Sequence, residues 1–308
     1  MTVAQLITSL EGQVAILERR DGLDRLVTAV TDDSRAVEAG SLFVAVQGER
    51  VDGHAFVSQA VQAGAIAIVA QGSVEPESIP LVRVADSRKA LGLIASRFYG
   101  DPSAQLAMIG VTGTNGKTTT TYLCKALLEG IGRRVGLIGT VAYQIGSETI
   151  SASHTTPGAL ELQRLLAKMR NAGLDSVVME VSSHALAMDR TAGCEYDVAV
   201  FTNLTQDHLD YHGTMEEYFQ AKMRLFTGLG TGNKTGQRAI VNTDDPYGSK
   251  IRAACRVPVW SYAVNSRAEL KAEQVRLSMG GTTFTAATPA GSFTVESRLV
   301  GEHNVYNL

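Results

Sequence analysis

Residues 106–119 read Leu-Ala-Met-Ile-Gly-Val-Thr-Gly-Thr-Asn-Gly-Lys-Thr-Thr, an apolar strand pattern running through a glycine-rich turn into a helical pattern. Strand, glycine loop and helix in that order build an anion site. Glycines without a Cβ let backbone N–H groups curl around phosphate, Lys117 supplies a point charge, and Thr118 a hydroxyl able to ligate Mg²⁺. The helix beginning near Lys117 adds the positive end of its dipole. The common form G-x-x-x-x-G-K-[ST] would need glycine at position 111, where Val111 stands; Gly110 and Gly113 carry the turn instead. Gly113, Thr114, Asn115, Gly116, Lys117, Thr118 and Thr119 are therefore the expected nucleotide-phosphate loop.

Outward from this loop the rhythm is β-α-β. Strands are expected at 106–111, 135–138, 176–181, 197–202, 239–242 and 257–261, and helices at 117–130, 158–172 and 214–226. Such alternation gives a mostly parallel sheet covered by helices, with ligands at the carboxyl ends of the strands. After about Val264 the pattern shortens to alternating segments turned at Gly280-Gly281 and Pro289-Ala290-Gly291, which read as a few antiparallel strands near the C-terminus. Before the loop, 42–46 and 65–69 read as strands and 55–63 as a helix, a small N-terminal α/β module. Gly100-Asp101-Pro102-Ser103 marks the boundary, so the expectation is an α/β chain with one unit over 1–102 and a phosphate-loop domain over 103–308.

The chain has 308 residues, 44% hydrophobic and 19% charged, with a formal net charge of −3 and three cysteines. Scattered basic residues give no electrostatic footprint for nucleic acid. The longest near-continuous apolar run, 63–70, is far short of the ~20 residues that span a bilayer. Three widely separated cysteines and no leader pattern point to a reduced, cytoplasmic protein, expected to be a monomer.

Several residues around the loop carry chemistry. Glu180 ends the apolar run 177–181, where a carboxylate can meet the Mg²⁺ of a bound nucleotide; a solvent-facing glutamate is the bland alternative. His208 and His212 have i, i+4 spacing, but no glutamate follows the first and no cysteine lies nearby, which argues against zinc. Lys222 falls on the apolar stripe formed by Met215, Tyr218, Phe219, Leu225 and Phe226. It is either a snorkelling side chain or a buried amine of shifted pKa, able when neutral to take up CO₂ as a carbamate. Thr155 and Thr156 precede a helix and serve either as caps or as anion donors.

With these pieces in order the chain resembles the Mur ligases. The resemblance rests on Asp33-Ser34-Arg35, on 112–118, on Thr155-Thr156-Pro157, on Glu180-Val181-Ser182-Ser183-His184, and on the block from Thr202 to Lys222. That block is most similar to members adding the third residue of the peptidoglycan stem peptide. The resemblance implies an ATP-dependent amide ligase acting on UDP-N-acetylmuramoyl-L-alanyl-D-glutamate, a UDP-N-acetylmuramoyl dipeptide, through an acyl phosphate. A diamino acid attacks it, meso-diaminopimelate being preferred here to L-lysine. By the same resemblance Lys117, Lys222 and His208 are catalytic, and Thr118, Glu180, His208 and carbamylated Lys222 serve Mg²⁺. Asn304 and Asn307 join the loop in binding ATP, while Ser34, Thr155, Thr156, Ser182 and Arg190 contact the UDP-sugar peptide. Met188, His154 and Glu49-Arg50-Val51 depart from relatives at substrate positions. The family's amino-acid-binding third domain is not found before Leu308, and 301–308 read as the first turn of a helix; a truncated chain, inactive alone, is the expectation. The competing readings are a folylpolyglutamate or cyanophycin type of ligase, and a non-catalytic nucleotide-binding protein.

Overall fold

The structure, a computed structural model, describes residues 1–48, 51–76 and 78–308; Glu49 and Arg50, part of one departure noted above, lie outside the described residues. The chain divides into two compact units, Met1–Ser103 with Pro157–Lys168 and Met188–Cys194, and Ala104–Thr156 with Met169–Ala187 and Glu195–Leu308.

The first unit is a five-stranded sheet with helices α1 (Val3–Ile7), α2 (Val57–Gln62) and α3 (Ser87–Phe98). Its strands are β1 (Ile16–Arg19), β2 (Ala29–Thr31), β3 (Ser41–Ala45), β4 (Ala67–Ala70) and β5 (Leu81–Val84), in the order β1-β5-β4-β3-β2. All neighbours are parallel except β1 against β5. Strand β3 is buried along its whole length, as a parallel strand covered on both faces must be. Because successive side chains point to opposite faces, Leu42 and Val44 enter a core with Leu91 and Ile94 of α3, while Phe43 and Ala45 enter another with Val57 and Ala60 of α2. Asp86 caps α3 by accepting from the Lys89 N–H at 3.0 Å.

In the second unit the strands are β6 (Ala107–Thr112), β7 (Val135–Ile138), β8 (Ala142–Ile145), β9 (Glu148–Ser151), β10 (Ser176–Glu180), β11 (Val198–Phe201), β12 (Arg238–Asn242), β13 (Val259–Ala263), β14 (Leu270–Ser278), β15 (Gly281–Thr288) and β16 (Gly291–Ser297). The helices are α4 (Lys117–Gly130), α5 (Ala159–Asn171, whose first ten residues belong to the first unit), α6 (Ser183–Ala187), α7 (Leu209–His212), α8 (Met215–Thr227), α9 (Pro246–Ala254) and α10 (Glu302–Asn307). One sheet runs β16-β15-β14-β13-β12-β11-β6-β10-β7-β8-β9, parallel from β7 through β14 and antiparallel at both ends. The expected mostly parallel α/β architecture with antiparallel strands near the C-terminus is borne out. The β8–β9 hairpin and helices α3 and α9 are additions to it. Strand β6 lies between β10 and β11, and the register pairs Glu180 with Val111 and Phe201 with Thr112. The carboxyl ends of β10 and β11 thus flank the start of the loop.

Candidate functional site

Two glycines shape the loop that leaves β6. Gly113 has φ 150°, and a Cβ there would lie 1.9 Å from Thr202 Oγ1; Gly116 has φ 87°, and its Cβ would lie 2.4 Å from Asn307 Oδ1. Neither position admits a side chain. The segment after β11 holds the loop: the Thr114 N–H donates to the Asn203 carbonyl at 2.8 Å and the Asn115 N–H to Asn203 Oδ1 at 2.9 Å. Thr202 Oγ1 and Asn203 Nδ2 both donate to the Asn115 carbonyl. The wrap of loop amides around an anion is therefore narrower than the sequence suggests, because two of them serve Asn203. The donors that remain are at the start of α4, where Gly116 provides no side-chain cap and the first-turn N–H groups have no partner within the helix.

Lys117 folds back on this loop, its Nζ donating to the carbonyls of Gly113 and Thr114, each at 2.9 Å. Burial pushes its pKa down, against the pull of Glu180 and Asp207. Lys222 reaches the same Gly113 carbonyl from α8 at 3.0 Å, and its Nζ sits 4.4 Å from the centre of the Tyr218 ring. Its side chain is 1% exposed, so the snorkelling alternative is excluded. Burial drives the pKa of this amine well below its ordinary value, the Lys117 charge adds to the effect, and Asp207 opposes it. Thr214 caps α8 by accepting from the Glu217 N–H at 3.1 Å, and Tyr218, Phe219, Leu225 and Phe226 on the buried face fix the rotation that brings Lys222 inward.

Glu180, also 1% exposed, is cradled by the turn after β7. Its Oε1 accepts from Thr118 Oγ1 at 3.0 Å and from the Thr140 N–H at 2.9 Å, and its Oε2 accepts from Thr140 Oγ1 at 3.2 Å. The direct partners of this carboxylate are hydroxyl and amide groups, and the Lys117 charge acts on it from beyond hydrogen-bond contact. A buried carboxylate with no basic side chain bonded to it suits a hard metal ion. Thr118 spends its proton on Glu180, which leaves its oxygen lone pairs for such an ion. Thr114 to Thr119, Thr140, Thr155, Glu180, Ser182 and His208 line one cavity of about 380 Å³. Among the described residues no three His, Cys, Asp or Glu side chains cluster as metal ligands. The donor set fits Mg²⁺, which is commonly bound by one or two protein groups plus phosphate oxygens and water. His208 is half exposed, with its ring 4.8 Å from that of His184. His212 is buried, its Nε2 2.9 Å from Ser183 Oγ, so the two i, i+4 histidines have different surroundings.

Of the other expected residues, Thr155 and Ser182 line the cavity, whereas the buried Thr156 supports its wall: its hydroxyl donates to the Glu180 carbonyl and accepts from the Ser182 N–H. Asn307 lies against Gly116, and Asn304 Oδ1 accepts from Asn307 Nδ2 at 3.0 Å. Ser34 and Arg190 belong to the first unit. Ser34 donates to Gln59 Oε1 at 3.2 Å, and Arg190 Nη2 lies 3.3 Å from the sulfur of Met188, one of the departing residues. His154 packs beside Ser153, its carbonyl accepting from the Tyr143 hydroxyl at 2.7 Å. Thr140 and Asn203 join the site without any motif to mark them, and Tyr218, in sequence only a member of the apolar stripe, also faces the Lys222 amine. For Thr140 the signal was present, since it follows the carboxyl end of an expected strand.

The family model of the Mur ligase middle domain matches residues 111–308, and that of the Mur ligase family catalytic domain matches residues 26–99. The UDP-N-acetylmuramoyl-L-alanyl-D-glutamate--2,6-diaminopimelate ligase of Geobacillus thermodenitrificans is 48% identical over 286 residues, covering 92% of this chain and 58% of its own length. The protein of the same name from Bacillus velezensis is 42% identical over 310 residues, 100% of this chain and 62% of its own. A solved structure of a ligase of that name superposes with a TM-score of 0.85 at 30% identity, covering 100% of this chain and 62% of that one. The chain thus spans about three fifths of the length of these relatives.

Proposed function

Because this chain belongs to the Mur ligase family, we propose that it is the nucleotide-activating part of a ligase joining 2,6-diaminopimelate to UDP-N-acetylmuramoyl-L-alanyl-D-glutamate in the cytoplasm. One observation carries the reading: the loop at the head of α4, with Lys117, and the buried carboxylate of Glu180 line a single cavity. The names of the relatives at 42–48% identity supply the amino acid and the acceptor.

In this reading the first turn of α4 and Lys117 bind the ATP phosphates, and Lys117 stabilises charge developing on the transferred phosphoryl group. Thr118, Glu180 and His208 would hold Mg²⁺, whose contribution is to neutralise phosphate charge. Thr140 keeps the Glu180 carboxylate aimed into the cavity. Lys222, an amine pushed toward neutrality, would carry a CO₂-derived carbamate, giving the site a further anion. Thr155 and Ser182 would touch the glutamyl end of the acceptor, and Ser34 and Arg190 its UDP-sugar. A carboxylate oxygen of the acceptor would attack the γ-phosphorus of ATP, giving an acyl phosphate as ADP departs; the amine of diaminopimelate would then attack the acyl carbon, and the amide forms with loss of a proton and of phosphate.

Calorimetric titration of the protein with ATP tests the site: binding that requires Mg²⁺ and is lost in Glu180→Gln is expected. Titration with no heat for either ATP or the UDP-dipeptide would sink the proposal. Product analysis of a complete ligase containing this chain, with diaminopimelate and L-lysine in competition, tests the amino acid, and a predominance of the lysine product would overturn that part.

A further inference from the structure

A hydroxyl gives one proton and accepts on its lone pairs, whereas a carboxylate oxygen only accepts. That difference fixes the direction of a short chain of hydrogen bonds on one wall of the phosphate cavity. Thr140 Oγ1 lies 3.2 Å from Glu180 Oε2 and 3.0 Å from Thr155 Oγ1. The Thr140 hydroxyl has a single proton, and the carboxylate has none to return. Were that proton turned toward Thr155, the Thr140 and Glu180 oxygens would face one another with only lone pairs between them. The Thr140 proton therefore goes to Glu180, and the Thr155 proton goes to Thr140. All three residues belong to the second unit and line the same cavity.

For Thr155 the consequence runs against its expected use as an anion donor. Its proton points into the wall, so its oxygen offers the cavity lone pairs. The hydroxyl of Thr156 is committed as well, donating to the Glu180 carbonyl at 2.9 Å. Neither hydroxyl of the pair is left to donate to a carboxylate or a phosphate. A lone pair is repelled by a carboxylate and gains a hydrogen bond from an N–H. Position narrows the choice of N–H, because Thr155 stands two hydrogen bonds from the Glu180 carboxylate, beside which the acceptor carboxylate would be phosphorylated. In a glutamyl acceptor the first N–H met from either carboxylate is the residue's own amide.

We propose that Thr155, oriented by Glu180 through Thr140, accepts the N–H of the peptide bond preceding the glutamyl residue of the acceptor, so that the site distinguishes this amide from a linkage lacking the hydrogen. This rests on the acceptor reading above. Thr155 is the binding group, and Thr140 is a positioning residue that need not touch the acceptor.

The test is calorimetric titration of a complete ligase containing this chain with UDP-N-acetylmuramoyl-L-alanyl-D-glutamate and with the analogue in which an ester replaces the alanyl–glutamyl amide. In the ester an oxygen stands where the N–H was, and lone pairs meet lone pairs. The wild type should prefer the amide on the order of tenfold, the scale of one hydrogen bond exchanged for a repulsion. Thr155→Val keeps the shape without the hydroxyl; it should weaken the amide, spare the ester and remove most of the preference, while Thr155→Ser should restore it. Thr140→Val leaves Thr155 in place but frees its proton to turn into the cavity, and should narrow the preference chiefly by improving the ester. Thr140 is exposed and Thr155 half-buried, so both valine variants should melt near the wild type. Should Thr155→Val fail to fold, Thr155→Ala takes its place with the same expected ratio. A merely structural role would lower both affinities together. Equal losses for the two acceptors in Thr155→Val, or an undiminished preference in Thr140→Val, would overturn the proposal. A wild type that binds neither acceptor would overturn the acceptor reading and the proposal with it, whereas one that binds both alike overturns the proposal alone.

Discussion

Replacing Lys222 by methionine separates the cost of burying this amine from its use. The two side chains are similar in length, so the packing on the inner face of α8 is largely kept. The Lys222 amine loses its proton at lower pH in the folded protein than at its ordinary value of 10.5. Between those two values the unfolded chain holds one more proton than the folded one, and stability therefore rises with pH. The slope is about 1.4 kcal/mol per pH unit. Methionine has no such term. In CO₂-free buffer Lys222→Met should be the more stable protein near neutral pH, and its advantage should shrink as pH rises toward 10.5, at no more than that slope. Above 10.5, where the amine is neutral in both states, the gap should stop changing. Urea unfolding of both proteins at matched pH values reads the difference, and titrations common to both cancel. A gap that does not change with pH would refute the reasoning, since an amine in contact with water titrates alike in both states.

Thr140→Val removes the hydroxyl bonds to Glu180 and Thr155 but keeps the backbone N–H bond. The Mg²⁺ concentration that half-saturates ATP binding should rise on the order of tenfold; unchanged Mg²⁺ dependence would leave Thr140 without a positioning role. Gly113→Ala, at φ 150° with Thr202 Oγ1 1.9 Å from the new Cβ, should cost about 2 kcal/mol in urea unfolding and abolish ATP binding. Thr214→Ala removes the cap of α8 and should lower stability by about 1 kcal/mol, with the loop and its ATP affinity intact.

The parts of the site that were legible in the sequence are those where one residue type contradicts its surroundings. Lys222 stands out because a lysine on an apolar stripe has few explanations, and the loop stands out because glycines interrupt an apolar strand. Thr140 is a small polar residue in a turn, where threonine is ordinary, and its value arises only from register, when β7 and β10 bring the turn beside Glu180. The pinning of the Thr114 and Asn115 amides by Asn203 is similarly nonlocal, joining residues 88 and 89 positions apart. Helix α9 escaped because Gly248 and Ile251 are its only buried residues, too few to produce a period, although Asp245-Pro246 marks its start. Residues 157–168 and 188–194 pack with the first unit; chain order gives no sign of that, because such membership is decided by which apolar faces meet.

The pairing of Glu180 with Val111 has a further consequence. Sliding β10 by a single position against β6 would offer Met179 to the phosphate loop and send the acid to the opposite layer of the sheet. The aim of the Glu180 carboxylate, and with it the metal contact proposed above, thus depends on the register that Val177 and Val178 share with Met108 and Ile109, hydrocarbon side chains that take no part in the chemistry. Selection for catalysis in this protein would act partly on residues whose only property is shape, and enzyme assays of conservative core variants would find losses in turnover where thermal melts find almost none.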